Sequence, residues 1–393
     1  MNEAPLLFDA THTSHTPAQT GIQRVCRSVF VELERRGPIV PVCFDPHLGD
    51  WRQLNRTERQ TLSDRSANST AGSRGAKWTL AQKVTGHVRR MAGRREKLPP
   101  ARGLLCVELF SARVGRHWSR LRERVTGPTV AVFHDAIGLK LPELTPPATV
   151  ARLPGYLQEL LSFDGVAAVS EDSAASLRDY WKWLGIADAP PVISLGLGWD
   201  PPPSVPKPST SRPIVLSVGT IEGRKNHRAL LDAAEQLWRE GLAFDLELIG
   251  LARPATAPEA STQLQALRKS GRPVRVHGSV SEAALHEAYA RCAFTVYPSL
   301  MEGFGLPVIE SLGHGKPCVC SSRGALGEIA RGGGCVLVDS PDANSLAAAM
   351  RSLLENSAAR ESLAGEARRR RFRSWADYAG ALTEWMSTLR LRR

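Results

Sequence analysis

Tyr297-Pro298-Ser299-Leu300-Met301-Glu302-Gly303-Phe304-Gly305-Leu306-Pro307-Val308-Ile309-Glu310 reads as the end of a strand, a glycine loop and the start of a helix. The strand is the apolar, β-rich run 293–297. Pro307 suits the first helical turn, where a missing N–H is no loss. Gly303 and Gly305 let the backbone approach a ligand closely, and the free N–H groups beyond them face an anion. Glu302 and Glu310 would flank that anion, a poor arrangement for phosphate but a good one for sugars attached to it. Hydroxyl pairs on sugars are donors that carboxylates accept from strongly. The local chemistry asks for a ligand with phosphate in the middle and polyols at both ends, the shape of a nucleotide sugar.

Outward from this stretch, strands expected at 214–218, 244–249, 274–277, 318–321 and 335–338 alternate with helical segments. That is the βαβ rhythm of a parallel sheet. Ser217-Val218-Gly219-Thr220-Ile221-Glu222-Gly223-Arg224-Lys225-Asn226 follows the first of these strands. It places Arg224 and Lys225 at the carboxyl edge of the sheet, where such sheets bind ligands, with Asn226 expected to cap the next helix. Two cations there suit a diphosphate and the charge that grows on it as a sugar leaves.

The proline-rich stretch at 201–212 predicts a stiff interdomain linker. Before it, strands are expected at 6–9, 39–44, 104–107, 129–133 and 165–169. A helix carries Ile22, Val25, Cys26, Val29, Phe30 and Leu33 on one face and ends at Gly37. His134 and Asp135 fall at the carboxyl end of the 129–133 strand, facing the cleft if the sheet is parallel. Residues 50–100 are rich in Arg, Ser, Thr and Gly with weak periodicity, and read as a partly disordered insertion. Residues 375–390 form an amphipathic helix through Tyr378, Leu382, Trp385, Met386 and Leu389.

At 393 residues the chain exceeds one core, and two domains are expected. No apolar run approaches the ~18–20 residues of a membrane span, and the start shows no charged n-region of a signal peptide. Seven scattered cysteines form no disulfide framework and fit a reducing cytoplasm. No Cys/His cluster has metal spacing, and His12 and His15 lie on a polar loop without a partner set. The net charge of +12 concentrates at 87–97 and 368–373. A solvated face and a contact with anionic lipid headgroups both fit the first run, whose flank carries Val84, Val88 and Met91. Nucleic acid does not, because no aromatics interleave with the basic residues.

Glu302-Gly303-Phe304-Gly305-Leu306-Pro307-x-x-Glu310, followed by Gly315-Lys316-Pro317-Cys318-Val319, resembles the signature of retaining GT-B glycosyltransferases of family 4 (group 1), in particular bacterial mannosyltransferases of surface polysaccharide synthesis. The resemblance implies an α/β GT-B fold, two doubly wound Rossmann-like domains facing a cleft. Residues 1–200 would form the acceptor domain, 201–212 the linker, 213–372 the nucleotide-sugar domain, and 373–393 a closing helix crossing back. It implies a retaining, metal-independent hexosyl transfer from a nucleotide diphosphate sugar, with mannose or a deoxyhexose carried on GDP favoured. No separate cofactor is expected. The acceptor would be a glycan or lipid-linked glycan at the inner face of the plasma membrane.

By the same resemblance Arg224 and Lys225 hold the leaving diphosphate, and Glu310 holds the ribose. Glu302, with the backbone of Gly303, Phe304, Gly305 and Leu306, holds the donor sugar, and His134 helps position it. Gly219, Thr220 and Gly21 are further contacts. Relatives often carry two adjacent glycines in the first-domain loop, where this chain has Gln19-Thr20-Gly21; Arg24 there reads equally as a surface charge. Ser170-Glu171 match a position near the cleft, although helix capping explains Ser170 as well. A GT-B enzyme of another reaction type (an epimerase or phosphorylase) and a catalytically silent scaffold are the alternatives.

Overall fold

Short strands that are apolar on both sides need a helical layer on each face, and both halves of the chain are built that way. The computed structural model describes residues 3–64, 75–201 and 212–392. The first sheet holds β1 (Leu6–Asp9), β2 (Ile39–Asp45), β3 (Asp50–Gln53), β4 (Gly103–Cys106), β5 (Thr129–Phe133), β6 (Gly165–Ala168) and β7 (Val192–Ser194) in the order β3-β2-β1-β4-β5-β6-β7. The second holds β8 (Ile214–Val218), β9 (Asp245–Ile249), β10 (Val274–Val276), β11 (Phe294–Tyr297), β12 (Cys318–Ser321) and β13 (Cys335–Val338) in the order β10-β9-β8-β11-β12-β13. All pairings are parallel except β2 with β3. Both sheets reverse strand order beside a central strand, which opens a crevice at their carboxyl ends.

Alternation along β1 divides the first core. Leu7 packs on one face with Phe44, Leu104 and Phe133, while Leu6 and Phe8 pack on the other with Val29, Phe30, Val130 and Val132. The helices that position the site or flank the first sheet are, in chain order, α1 (Gly21–Arg36), α2 (Arg56–Ser63), α3 (Leu80–Met91), α4 (Glu171–Trp183), α5 (His227–Arg239), α6 (Leu306–Gly313), α7 (Gly324–Ala330) and α8 (Trp375–Ser387). Trp375, Tyr378, Leu382 and Met386 of α8 join the Leu6–Phe8 cluster, so this helix belongs to the first domain's core. Two segments connect the domains side by side, with Trp199 N–H donating to the Arg373 carbonyl at 2.8 Å. Most of the proline-rich linker, 202–211, lies outside the described residues.

Among the described residues of 50–100 there is more regular structure than the weak periodicity suggested. β3 pairs antiparallel with β2, and α2 and α3 each begin with a capping box, Asn55 with Glu58 and Thr79 with Gln82. Polar side chains supply the cohesion that periodicity did not reveal. Glu58 is buried and takes both terminal nitrogens of Arg52 at 2.7 Å and His15 Nε2 at 2.9 Å. His15, expected to lack partners, also stacks on Trp78. His15, Cys43 and Glu58 lie within ligating distance of one another. With the Arg52 guanidinium on both Glu58 oxygens, they fit a polar staple and not a metal.

Candidate active site

The loops at the carboxyl ends of both sheets face each other across a cleft of about 460 Å³. Its walls include Gly21 from the first domain's helix start and His134 from the end of β5. The second domain adds Gly219, Thr220, Arg224 and Lys225 after β8, then Glu302, Gly303, Phe304, Gly305, Leu306 and Glu310 after β11. Residues singled out separately along the chain are therefore brought to one cavity. Gly219 and Gly305 have φ of +148° and +113°, and only glycine adopts those angles readily.

The most charged part of the cleft is a closed set. Glu302 lies 2.6 Å from Lys225 Nζ and 2.9 Å from Arg224 Nη1, and Arg224 Nη2 lies 2.9 Å from Glu222. Lys225 also donates to the Tyr297 hydroxyl and sits 4.6 Å from that ring's centre. Burial pushes the Glu302 carboxyl up, but the Arg224 and Lys225 charges outweigh it and hold the group down at about 2. Burial lowers Lys225, with the like charge of Arg224 adding to it against the pull of Glu302. The expectation divided labour between a sugar-binding Glu302 and phosphate-binding cations; the structure joins them. Two cations and two carboxylates balance. An ammonium has three N–H donors and a guanidinium five, so donors remain for a ligand.

Glu310 is met from the opposite wall. Arg24 Nη2 of α1 lies 2.6 Å from its Oε1, and the Tyr289 hydroxyl donates to Oε2 at 2.8 Å. Arg24, readable as a surface charge, is thus a cross-cleft partner. The Glu310 pull, the largest influence on it, raises its pKa. Tyr289, on the helix 282–291, carried no sequence signal that would have marked it.

His134 is buried, and its Nε2 lies 2.7 Å from the Val107 carbonyl. A carbonyl only accepts, so Nε2 carries the proton; burial disfavours the charged ring and lowers its pKa, which leaves Nδ1 a bare acceptor. Asp135 accepts from Ile137 N–H at 3.1 Å and shapes the loop. Ser170 does cap α4, accepting from Ser173 N–H, but it also donates to the Gly303 carbonyl at 2.6 Å, joined by Ser173 at 3.2 Å. Glu328 of α7 reaches back to accept from the Glu171 and Asp172 N–H groups at the start of α4. Phe304 and Leu306 pack against the first-domain cluster containing Leu195 and Leu197, so they also belong to the domain contact. Asn226 does not cap α5 with its side chain. Its φ is 53° and its amide donates to the Pro341 carbonyl at 2.7 Å.

Beneath the first-domain wall, Asp9 and Glu108 form a buried acid pair absent from the sequence reading. Glu108 accepts from His12 N–H, from Thr13 N–H at 2.8 Å and from the Thr13 hydroxyl at 2.6 Å, while Asp9 Oδ1 takes the Thr11 N–H and hydroxyl. Burial, then the neighbouring Glu108 charge, pushes Asp9 up to about 7. Burial raises Glu108 to about 7 against its own hydrogen bonds.

Residues 203–370 match the family model described as glycosyl transferases group 1. Among characterised proteins, the chain is 25% identical over 352 residues to the serotype-specific mannosyltransferase WbdA of Escherichia coli, covering 83% of this chain and 40% of that protein. It is 30% identical over 247 residues to the O-antigen chain mannosyltransferase B of Escherichia coli, covering 59% and 62% respectively. The chain thus spans well under two thirds of the first of these and somewhat under two thirds of the second. HepE of Anabaena, solved in complex with UDP and glucose, superposes with a TM-score of 0.68 at 17% identity over 98% of this chain and 100% of that one. Sucrose-phosphate synthase from Thermosynechococcus elongatus gives 0.66 at 19% identity over 98% of both chains. Residues 203–370 of this chain are therefore similar to group 1 glycosyl transferases, and the chain as a whole carries the two-domain GT-B fold.

Proposed function

We propose that the protein transfers a hexose, mannose or a deoxyhexose, from a nucleotide diphosphate sugar to a glycan or lipid-linked glycan acceptor in surface polysaccharide synthesis, with retention at the anomeric carbon and without a metal. The observation that carries this reading is the meeting of Arg224, Lys225, Glu302 and Glu310 in one cleft between the carboxyl ends of two parallel sheets. Similarity to two Escherichia coli mannosyltransferases favours mannose, and with it a GDP-linked donor.

In this reading the remaining N–H donors of Arg224 and Lys225 take the diphosphate and stabilise the charge it gains on leaving. They would supply what a metal supplies elsewhere. Glu310, held between Arg24 and Tyr289, takes ribose hydroxyls on its remaining lone pairs. Glu302 and bare His134 Nδ1 accept sugar hydroxyls, which fixes the donor carbon in the cleft. Each carboxylate lining the cleft already has a cation, a phenol or a backbone N–H against it. In this reading none of them acts as a glycosidase-type nucleophile. In this reading departure and attack occur on one face, with the leaving phosphate taking the acceptor proton, as the resemblance implies. A cytoplasmic enzyme working at the inner membrane face suits a lipid-linked acceptor.

The test is a thermal-shift series with GDP, UDP, dTDP and ADP, with and without magnesium, followed by transfer from the stabilising nucleotide's sugars. A ligand at a hundred times its Kd adds about 2.7 kcal/mol, which is readily seen. Stabilisation by GDP without magnesium and an α-linked mannosyl product are expected. Stabilisation by none of the four overturns the reading.

A further inference from the structure

Four of the large apolar side chains exposed on this protein lie on one short helix. Leu80, Val84, Val88 and Met91 of α3 are 77%, 54%, 59% and 89% exposed. At about 100° per residue they fall within roughly 80° of one another around the axis. The opposite side of the helix is the one that touches the protein. Gly86 is buried, and a side chain there would come within 2.8 Å of His47 Cβ, 3.0 Å of Leu48 N and 3.2 Å of the Asp45 carboxylate. The glycine is therefore what lets α3 lie flat against the turn between β2 and β3. The stripe points away from the domain, at the sheet's outer edge.

Its flanks are basic. Lys83, His87 and Arg90 border the stripe along one side, and Arg94, Arg95 and Lys97 follow the helix; all six are exposed. An exposed apolar band of this order next to a row of cations marks a contact surface, and this charge pattern selects an anionic partner with an apolar layer beneath its charges. A bilayer carrying acidic headgroups has that structure. We propose that α3 is a membrane-docking helix. It lies in the plane of an anionic bilayer, with Leu80, Val84, Val88 and Met91 among the acyl chains and Lys83, Arg90 and Arg94 on the headgroups. The basic run read from sequence at 87–97 is then only half of the device. The apolar half begins seven residues earlier, at Leu80. The proposal stands independently of the transfer reaction.

The experiment is flotation of the full chain with vesicles of phosphatidylglycerol and phosphatidylcholine, against vesicles of phosphatidylcholine alone. The chain should float with the first and stay behind with the second. Raising salt from about 0.1 M to about 1 M shortens the screening length from about 10 Å to about 3 Å and should weaken the association. The Val84→Asp, Val88→Asp, Met91→Asp triple variant should reduce binding by more than about tenfold while keeping the wild-type melting temperature and nucleotide-induced thermal shift, because these side chains support no core. Lys83→Glu with Arg90→Glu should also weaken binding by about tenfold or more. Equal flotation with both vesicle types, no flotation with either, or full binding by the triple variant overturns the proposal. So does a wild-type dimer that the triple variant converts to monomer, since the stripe would then be a self-association face.

Discussion

Glu302 carries two roles that one substitution can separate. Glu302→Gln removes the carboxylate that compensates Lys225, and taking one member from a buried ionic set costs about 3–5 kcal/mol. Urea unfolding should register a loss of that order while the variant still folds. Transfer should fall by about a hundredfold or more, the scale of losing a charge-stabilising contact in a closed site. The Glu302 carboxyl lies down at about 2, below its ordinary 4.5, so its stabilisation is complete above pH 4.5 and fades as the pH drops toward 2. The gap between wild type and variant should stay level from about pH 5 to about pH 8 and close in acid. Asp9 titrates with the opposite sign. Its folded pKa is raised, so the pair stabilises most below the ordinary carboxylate range and loses that contribution as pH climbs to about 7. Asp9→Asn should therefore gain melting temperature relative to wild type between pH 5 and pH 8, with little difference at the acid end; a constant offset would contradict the buried-pair account. Glu302 and Glu310 were legible because their meaning is local, two acids spaced across a glycine loop. Arg24, Tyr289 and the Asp9–Glu108 pair were not, because each gains its meaning from a partner far away along the chain.

The glycine loop between β11 and α6 is the element on which the domain contact turns. A Cβ on Gly303 would lie 2.2 Å from the His134 carbonyl oxygen and 3.1 Å from Asp135 Cβ, with backbone on the far side that cannot rotate away. Gly303→Ala should then push the two walls apart. We expect a cost of about 1–3 kcal/mol, typical of overpacking, and a turnover loss larger than that implies, because the hydrogen bonds from Ser170 and Ser173 are displaced too. Unchanged turnover with altered stability would show that closure does not limit the reaction. At this scale the second domain's strands were readable as short β-rich runs alternating with helical segments. β3, β7 and α2 were not. β7 has three residues and β3 four, and α2 coheres through Arg52, Glu58 and Asn55 where a periodic apolar face would have been visible. A segment held by ion pairs leaves no period to detect.

Across the whole molecule, the domains are joined by two adjacent crossings and by contacts that belong to neither alone: Arg24 with Glu310, Ser170 with Gly303, and Glu328 with the start of α4. The second crossing delivers α8 to the far side of the first domain. Leu382 is fully buried there, so Leu382→Ala should cost about 2–5 kcal/mol. That loss should appear in the first domain, as faster amide exchange in β1 and β4, with β8 and β11 unaffected. Exchange increased equally in both sheets would mean that the two domains unfold as one unit. The paired-sheet architecture could be read from strand rhythm, and the amphipathic character of 375–390 from its pattern. Which surface that helix covers is decided by three-dimensional packing alone.

The placement of α8 also bears on synthesis. β7 ends at Ser194 and α8 at Ser387, so a ribosome working at about 5–20 residues per second needs roughly 10–40 s to travel between them. Through that interval the nascent first domain has all its strands but exposes the apolar surface around Leu6, Phe8 and Val132 that Tyr378 and Leu382 later cover. The half of the protein that is translated first is completed last, and a chaperone that shields this face would act while the nucleotide-sugar domain is still being made.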